Sequence, residues 1–233
     1  MVQFRVSSGD DASCLNLNRA QNPRILAVAP NELAKRDAFF FAATQVPKGI
    51  EFEGQSSWQL LGLELDGVPI NSTETSIGEH EPVVPGVLDQ ATAQYALKVK
   101  LGDLISYPAP GGGQFHVQVV GLIDNSIFQG SVVIAEEHFI KFFPNSGGYK
   151  FFLMDEPKLE SGKPDSEASE RHRANLTRQL SDRGLELIPT WQRLNDFNAV
   201  QNTYLKIFST LGGLGLLLGT VGLGVVVSRN ILE

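Results

Sequence analysis

Four histidines, one cysteine and adjacent acids such as Asp10-Asp11 and Glu136-Glu137 are the side chains here that could ligate a metal or carry acid–base chemistry. His80, His116, His138 and His172 are widely separated, and no H-E-x-x-H or Cys/His ligand spacing links them. Glu136-Glu137-His138 reads as the solvated start of a short helix. Cys14 has no neighbouring histidine or cation, so it reads as an inert thiol, and a single cysteine forms no internal disulfide. No G-x-S-x-G elbow and no G-x-x-x-x-G-K-[ST] phosphate loop occurs. Gly111-Gly112-Gly113 stands between strand-like runs and reads as a hairpin turn. Asp10-Asp11 and Glu136-Glu137 are neighbours in sequence, which does not pose two carboxylates across a substrate. The residues therefore define no catalytic, cofactor or metal site, and the expectation is a protein that is not an enzyme.

The elements that must position these residues fall into a polar part and an apolar tail. Between Lys206 and Arg229 the 233-residue chain carries no charge. The run Ile207 to Val227 is long enough for a helix of about 32 Å against a hydrocarbon core of about 30 Å. It predicts one membrane-spanning helix. Gly212, Gly215, Gly219 and Gly222 fall on one face of it, and Gly215-Leu-Leu-Leu-Gly219 is a small-xxx-small pair that lets another helix approach closely. Leu194, Phe197, Val200, Tyr204 and Phe208 recur at spacings of three or four, and no breaker separates them from the span. They predict a stalk helix running on into the bilayer.

Of 19 basic and 26 acidic residues, only Lys206, Arg229 and Glu233 lie at or beyond the borders of the span. The part before it is thus acidic, which disfavours nucleic acid and anionic lipid surfaces as partners. Arg229 just beyond the span favours a cytoplasmic C-terminus. Met1 to Val6 has no apolar h-region. The expectation is either a tail anchor or a start preceded by a missing helix.

Before the span the pattern is mixed. Residues 1 to about 30 read as extended and loop-rich, with a turn at Asp10–Ser13 and a strand at Arg24–Val28 closed by Pro30. Asn31 could cap a short helix carrying Leu33, Phe39 and Phe40. Trp58–Leu65 is mostly apolar, and Ser72–Pro82 reads as an exposed loop. Val83–Leu88 reads as a strand, and Asp89 as the cap of a helix from Gln90 to Lys100 that Gly102 ends. Strands are expected at Leu104–Tyr107, around Phe115, Val117 and Val119, at Ser131–Ile134 and at Tyr149–Met154, with a short helix from Glu136 to Phe143. Residues 156–169 read as a mobile linker, 170–183 as a polar helix, and Leu185–Ile188 as a short strand.

Two segments carry a resemblance. Val87 to Thr92, Leu101-Gly102-Asp103 and the strand ending Val119-Val120-Gly121 resemble the extracytoplasmic core of MacB-type proteins. Leu205 to Glu233 resembles the second membrane helix of FtsX-like ABC permeases and the start of their cytoplasmic loop. The resemblance covers roughly residues 83–154 and 190–233. It implies an α+β, mixed-sheet extracytoplasmic domain followed by a long stalk helix that continues into one transmembrane helix. The expected divisions are a loop-rich N-terminal part (1–82), a MacB-like core (83–190), a stalk (191–206), the span (207–228) and the start of a cytoplasmic loop (229–233). It further implies a permease subunit of the cell inner membrane, with its ectodomain periplasmic or extracellular and its C-terminus cytoplasmic. The implied partners are an ABC ATPase subunit holding the ATP, and other permease helices or a second copy. Such permeases have at least four spans, so the chain reads as a fragment of a longer one. A different class also fits the residues: a single-span anchored binding or adaptor protein.

Overall fold

The computed structural model describes residues 1–9, 22–69, 80–157, 161 and 165–232, without the side chains of residues 68, 69, 80, 198, 200–202 and 204. The turn expected at Asp10–Ser13, Cys14, the loop at 72–79, residues 158–160 and 162–164 of the expected linker, and Glu233 lie outside the described residues. Two compact units are present, Met1–Glu186 and Leu187–Glu233.

The first unit is built on an eight-stranded mixed sheet in the order β10-β1-β2-β9-β6-β8-β3, with β7 also paired to β8. Its strands are β1 (Val2–Ser7), β2 (Arg24–Val28), β3 (Phe41–Thr44), β6 (Val83–Asp89), β7 (Leu104–Pro108), β8 (Gln114–Ile123), β9 (Ser131–Ala135) and β10 (Phe151–Leu153). A separate two-stranded ribbon pairs β4 (Val68–Pro69) with β5 (His80–Glu81). β2 runs parallel to β9 and β6 parallel to β8, while the other pairings are antiparallel. β1, β2 and β3 belong to residues 1–82 and lie in the same sheet as the strands that follow, so the sheet crosses the boundary expected at residue 82.

The central strands are apolar at consecutive positions because both faces of the sheet are covered. Ile25, Ala27, Val132 and Ile134 enter one core with Phe115, Val117 and Phe139. Leu26, Val28, Val133 and Ala135 enter the other with Phe4, Trp58 and Phe128. Gly86 stands where these layers are tightest: a Cβ there would overlap Val117 and come within 3.2 Å of Val132. Trp58 and Leu61 come from a 3₁₀ turn, Ser57–Gly62, capped by the Ser56 hydroxyl. Phe39, Phe41 and Phe128 pack around Trp58, with ring centroids 5.0–6.3 Å from it. Arg5 ties β1 to the short helix α2 (Glu136–Phe142) through a 2.7 Å bond to Glu136.

Several expectations are corrected. Val2–Ser7, in a lead read as extended and loop-rich, is a regular strand inside the sheet. Helix α1 (Pro30–Ala34) starts on Pro30, whose missing N–H costs nothing at a helix start, rather than on an Asn31 cap. Phe39 and Phe40 lie beyond that helix. The helix after Asp89 ends at Leu97, closed by Lys98 in the left-handed conformation (φ 58°), and most of it is a π-turn over Thr92–Leu97. Gly102 (φ 86°) instead shapes the following turn. Helix α3 (Ser166–Leu180) begins inside the stretch read as linker, because the Asp165 side chain accepts from Ala168 N–H at 2.9 Å. Leu185–Ile188 is irregular rather than a strand. His138, read as solvated, is buried: α2 turns that face onto the 3₁₀ segment, where its Nε2 lies 3.2 Å from the Leu63 carbonyl.

The second unit is dominated by α4 (Thr190–Leu232), an unbroken helix of 43 residues and about 65 Å. No proline interrupts residues 190–232, so nothing in the sequence forces a kink. Its stretch Leu205–Leu232 is long and apolar enough to cross a membrane, and none of that stretch is buried.

Candidate functional site

Asp89 is the hinge of the sheet unit's polar architecture. Fully buried, it accepts from Ala91 N–H at 2.9 Å and from both Ser126 N–H and Oγ–H, at 2.6 and 2.8 Å. It thus caps the turn after β6 and pins the β8–β9 loop with one carboxylate. Thr92 adds a second tie by accepting from Gly130 N–H at 2.8 Å.

The two motif segments of the first unit meet directly. Gly102 N–H donates to the Val119 carbonyl at 2.8 Å, and Val119 N–H donates to the Asp103 carbonyl at 3.0 Å. Asp103 also closes its own turn, accepting from Lys100 N–H at 2.8 Å. Leu101-Gly102-Asp103 and Val119-Val120-Gly121, separated by a whole hairpin in sequence, are therefore one hydrogen-bonded corner of the sheet.

Beside that corner lies an open cleft of about 550 Å³, bordered by Gln45, Lys48, Glu64, Asp66, Gly102 and Gln118 among others. Its walls are mostly polar and carry both charges. Lys141 donates to Glu64 at 3.0 Å, and that bond holds the Glu64 carboxyl below its ordinary value. His138, behind the same segment, has its imidazole pKa lowered, chiefly by burial.

On the neighbouring β7–β8 hairpin three polar side chains come together. His116 Nε2 lies 2.6 Å from Glu81 Oε2, and its Nδ1 lies 3.0 Å from Ser106 Oγ. Ser106 and His116 are directly opposed across the strands, and Glu81 arrives at the end of β5. Sequence inspection misses this grouping, since residues 81, 106 and 116 meet only through strand register. Gly111-Gly112-Gly113 forms the hairpin turn expected of it, with positive φ at Gly112 and Gly113.

The residues singled out on α4 stay on one element. At about 100° per residue, Gly212, Gly215, Gly219 and Gly222 share an arc of about 80°, from which Gly213 and Gly224 are excluded. A Cβ at any of the four would meet open space. Leu194 and Phe197 follow one another along the first turns, with the Arg193 guanidinium 4.7 Å from the Phe197 ring. Val200 and Tyr204 lie on the same helix, with their side chains outside the described residues. Among the described residues no group of three or more His, Cys, Asp or Glu side chains could hold a metal ion. No family model matches the sequence, and no curated protein is significantly similar to it.

Proposed function

We propose that the chain is the membrane part of an FtsX- and MacB-like ABC system that transmits force rather than passing substrate. In this reading α4 crosses the inner membrane, with Met1–Glu186 on the periplasmic or extracellular side and Arg229 at the cytoplasmic face. ATP is bound and hydrolysed by a separate cytosolic ATPase subunit. The glycine face Gly212–Gly215–Gly219–Gly222 packs against other permease helices or a second copy, and the stalk positions Leu194, Phe197, Val200 and Tyr204 carry the movement outward.

The observation that carries this reading is the unbroken α4, with a stripe of large apolar residues in its first turns and a glycine face within its apolar length. An anchor needs neither feature, and each glycine weakens a helix by about 1 kcal/mol relative to alanine. The corner joining the Leu101-Gly102-Asp103 turn to Val119-Val120-Gly121 adds support, since both motif pieces belong to one structural unit. The polar cleft at Gly102 favours a second reading, a single-span anchored binding or adaptor protein.

A membrane two-hybrid assay of the α4 span tests the leading reading. Changing Gly215 and Gly219 to Ile is expected to lower association several-fold, with Gly213→Ile as the control on the opposite face. Equal association in all three would remove the support.

A further inference from the structure

We infer that Ser106 is an activated nucleophile, served by His116 and Glu81, and that this face of the sheet hydrolyses carboxylic esters. The inference goes beyond the coupling role proposed above and does not depend on it.

Three observations converge. First, the hydrogen-bond chain has the polarity that nucleophile activation needs. His116 Nε2 lies 2.6 Å from Glu81 Oε2 and Nδ1 lies 3.0 Å from Ser106 Oγ; with the carboxylate as acceptor, Nε2 carries the proton and Nδ1 is free to accept from the serine. The two ring nitrogens have the opposite assignment from a chymotrypsin-type triad, but the chemistry is the same from either side of the ring. Second, Ser106 is exposed while its neighbours Ile105 and Tyr107 are buried, so the strand holds its hydroxyl outward on a rigid element. Tyr107 is further locked by stacking on Phe115 and by donating to the Pro23 carbonyl at 3.0 Å.

Third, the ladder frees a backbone donor at the nucleophile. Ala109 N–H bonds Gly113, and Val119 N–H bonds Asp103, which places the hydrogen-bonded positions of β7 at odd residues. Ser106 and His116 are then a non-hydrogen-bonded pair. His116 N–H accordingly turns away from β7 and donates to the Pro82 carbonyl at 2.9 Å. Ser106 N–H must point the other way, to the outer edge of β7, where no strand pairs among the described residues. A nucleophile's own N–H is well placed for the oxyanion that forms on the carbon it attacks.

The step balances without a cofactor. Ser106 Oγ bonds to the ester carbonyl carbon as its proton passes to His116 Nδ1. The bond to the alcohol oxygen breaks, and that oxygen leaves with the same proton. Water then gives a proton to Nδ1 and its hydroxide attacks the acyl-serine, releasing the acid and returning a proton to Ser106. Glu81, 2.6 Å from Nε2, stabilises the imidazolium that forms between the two transfers.

The test uses the full chain in detergent, a fluorophosphonate probe and peptide mapping by mass spectrometry, with heat-unfolded protein as the blank. Phosphonylation at Ser106 above the blank is expected, absent in Ser106→Ala and slower by about 100-fold in His116→Gln. Glu81→Gln should slow it less. Each variant is taken through a thermal melt, and Ser106→Ala, altered at an exposed position, is expected to melt as the parent does. Ser106 labelled no faster than the blank overturns the inference. So does labelling that His116→Gln leaves unchanged while its melt stays intact.

Discussion

The two units handle apolar residues in opposite ways. In Met1–Glu186 the strands β2, β6 and β9 are apolar at nearly every position, and nearly all of those side chains are buried between two layers. In α4 the residues Leu211, Leu214, Leu216, Leu217 and Leu218 are equally apolar and all more than half exposed. The hydrophobic effect that closes the first unit is unspent in the second. Within α4 the stretch Leu205–Leu232 is long and apolar enough to cross a membrane, and the run between Lys206 and Arg229 carries no charge.

Substitutions sharpen this contrast. Trp58→Ala should cost the first unit about 3–5 kcal/mol in denaturant unfolding followed by circular dichroism, because it empties a fully enclosed aromatic site. Leu216→Ala should leave the same transition where it was. The mirror-image change is a charge in α4: Leu217→Arg should disfavour membrane insertion by about 2.5–3.5 kcal/mol in a glycosylation-reporter assay, with no effect on the sheet unit. Smaller effects test how the polar residues hold the first unit together. Asp89→Ala should destabilise it by about 1–3 kcal/mol, since Ser126 N–H is left buried without its acceptor.

The smallest effect concerns pH. His138 is held neutral by burial, while Glu64 and Glu137 oppose that shift and Lys141 reinforces it. Its folded pKa lies below its unfolded value of about 6.5, so the unfolded chain binds more protons there. The contribution to stability is complete above that unfolded value and is lost as pH falls toward the folded one. Melts of the parent and of His138→Gln should therefore converge as the solution is acidified, the variant showing a flatter profile.

Much of this contrast was legible in the residues. β6, β7, β8, β9 and α2 announce themselves by β-branched runs, alternation and turn residues, and α4 by its uncharged length. β1 was missed because Val2–Ser7 is short and mixed, and becomes a strand through pairing with β2 and β10 far along the chain. The π-turn after Asp89 has no signal of its own, because the run from Gln90 to Lys100 fits an ordinary helix equally well. His138 looked solvated beside two glutamates, and only the packing of α2 on Leu63 buries it. The Glu81–His116–Ser106 chain has no sequence signature, since register alone brings it together. The glycine face was readable because a single helix fixes its geometry without any tertiary contact.

In the proposed function α4 sits in lipid with its glycine face against another helix. Nitroxide scanning of residues 205–232 in reconstituted bilayers measures this directly, comparing relaxation by oxygen with relaxation by a water-soluble nickel chelate. High oxygen and low nickel exposure is expected through the span, with both low along Gly212, Gly215, Gly219 and Gly222. Nickel exposure throughout would contradict the membrane placement, and uniform oxygen exposure around the helix would contradict the packed glycine face.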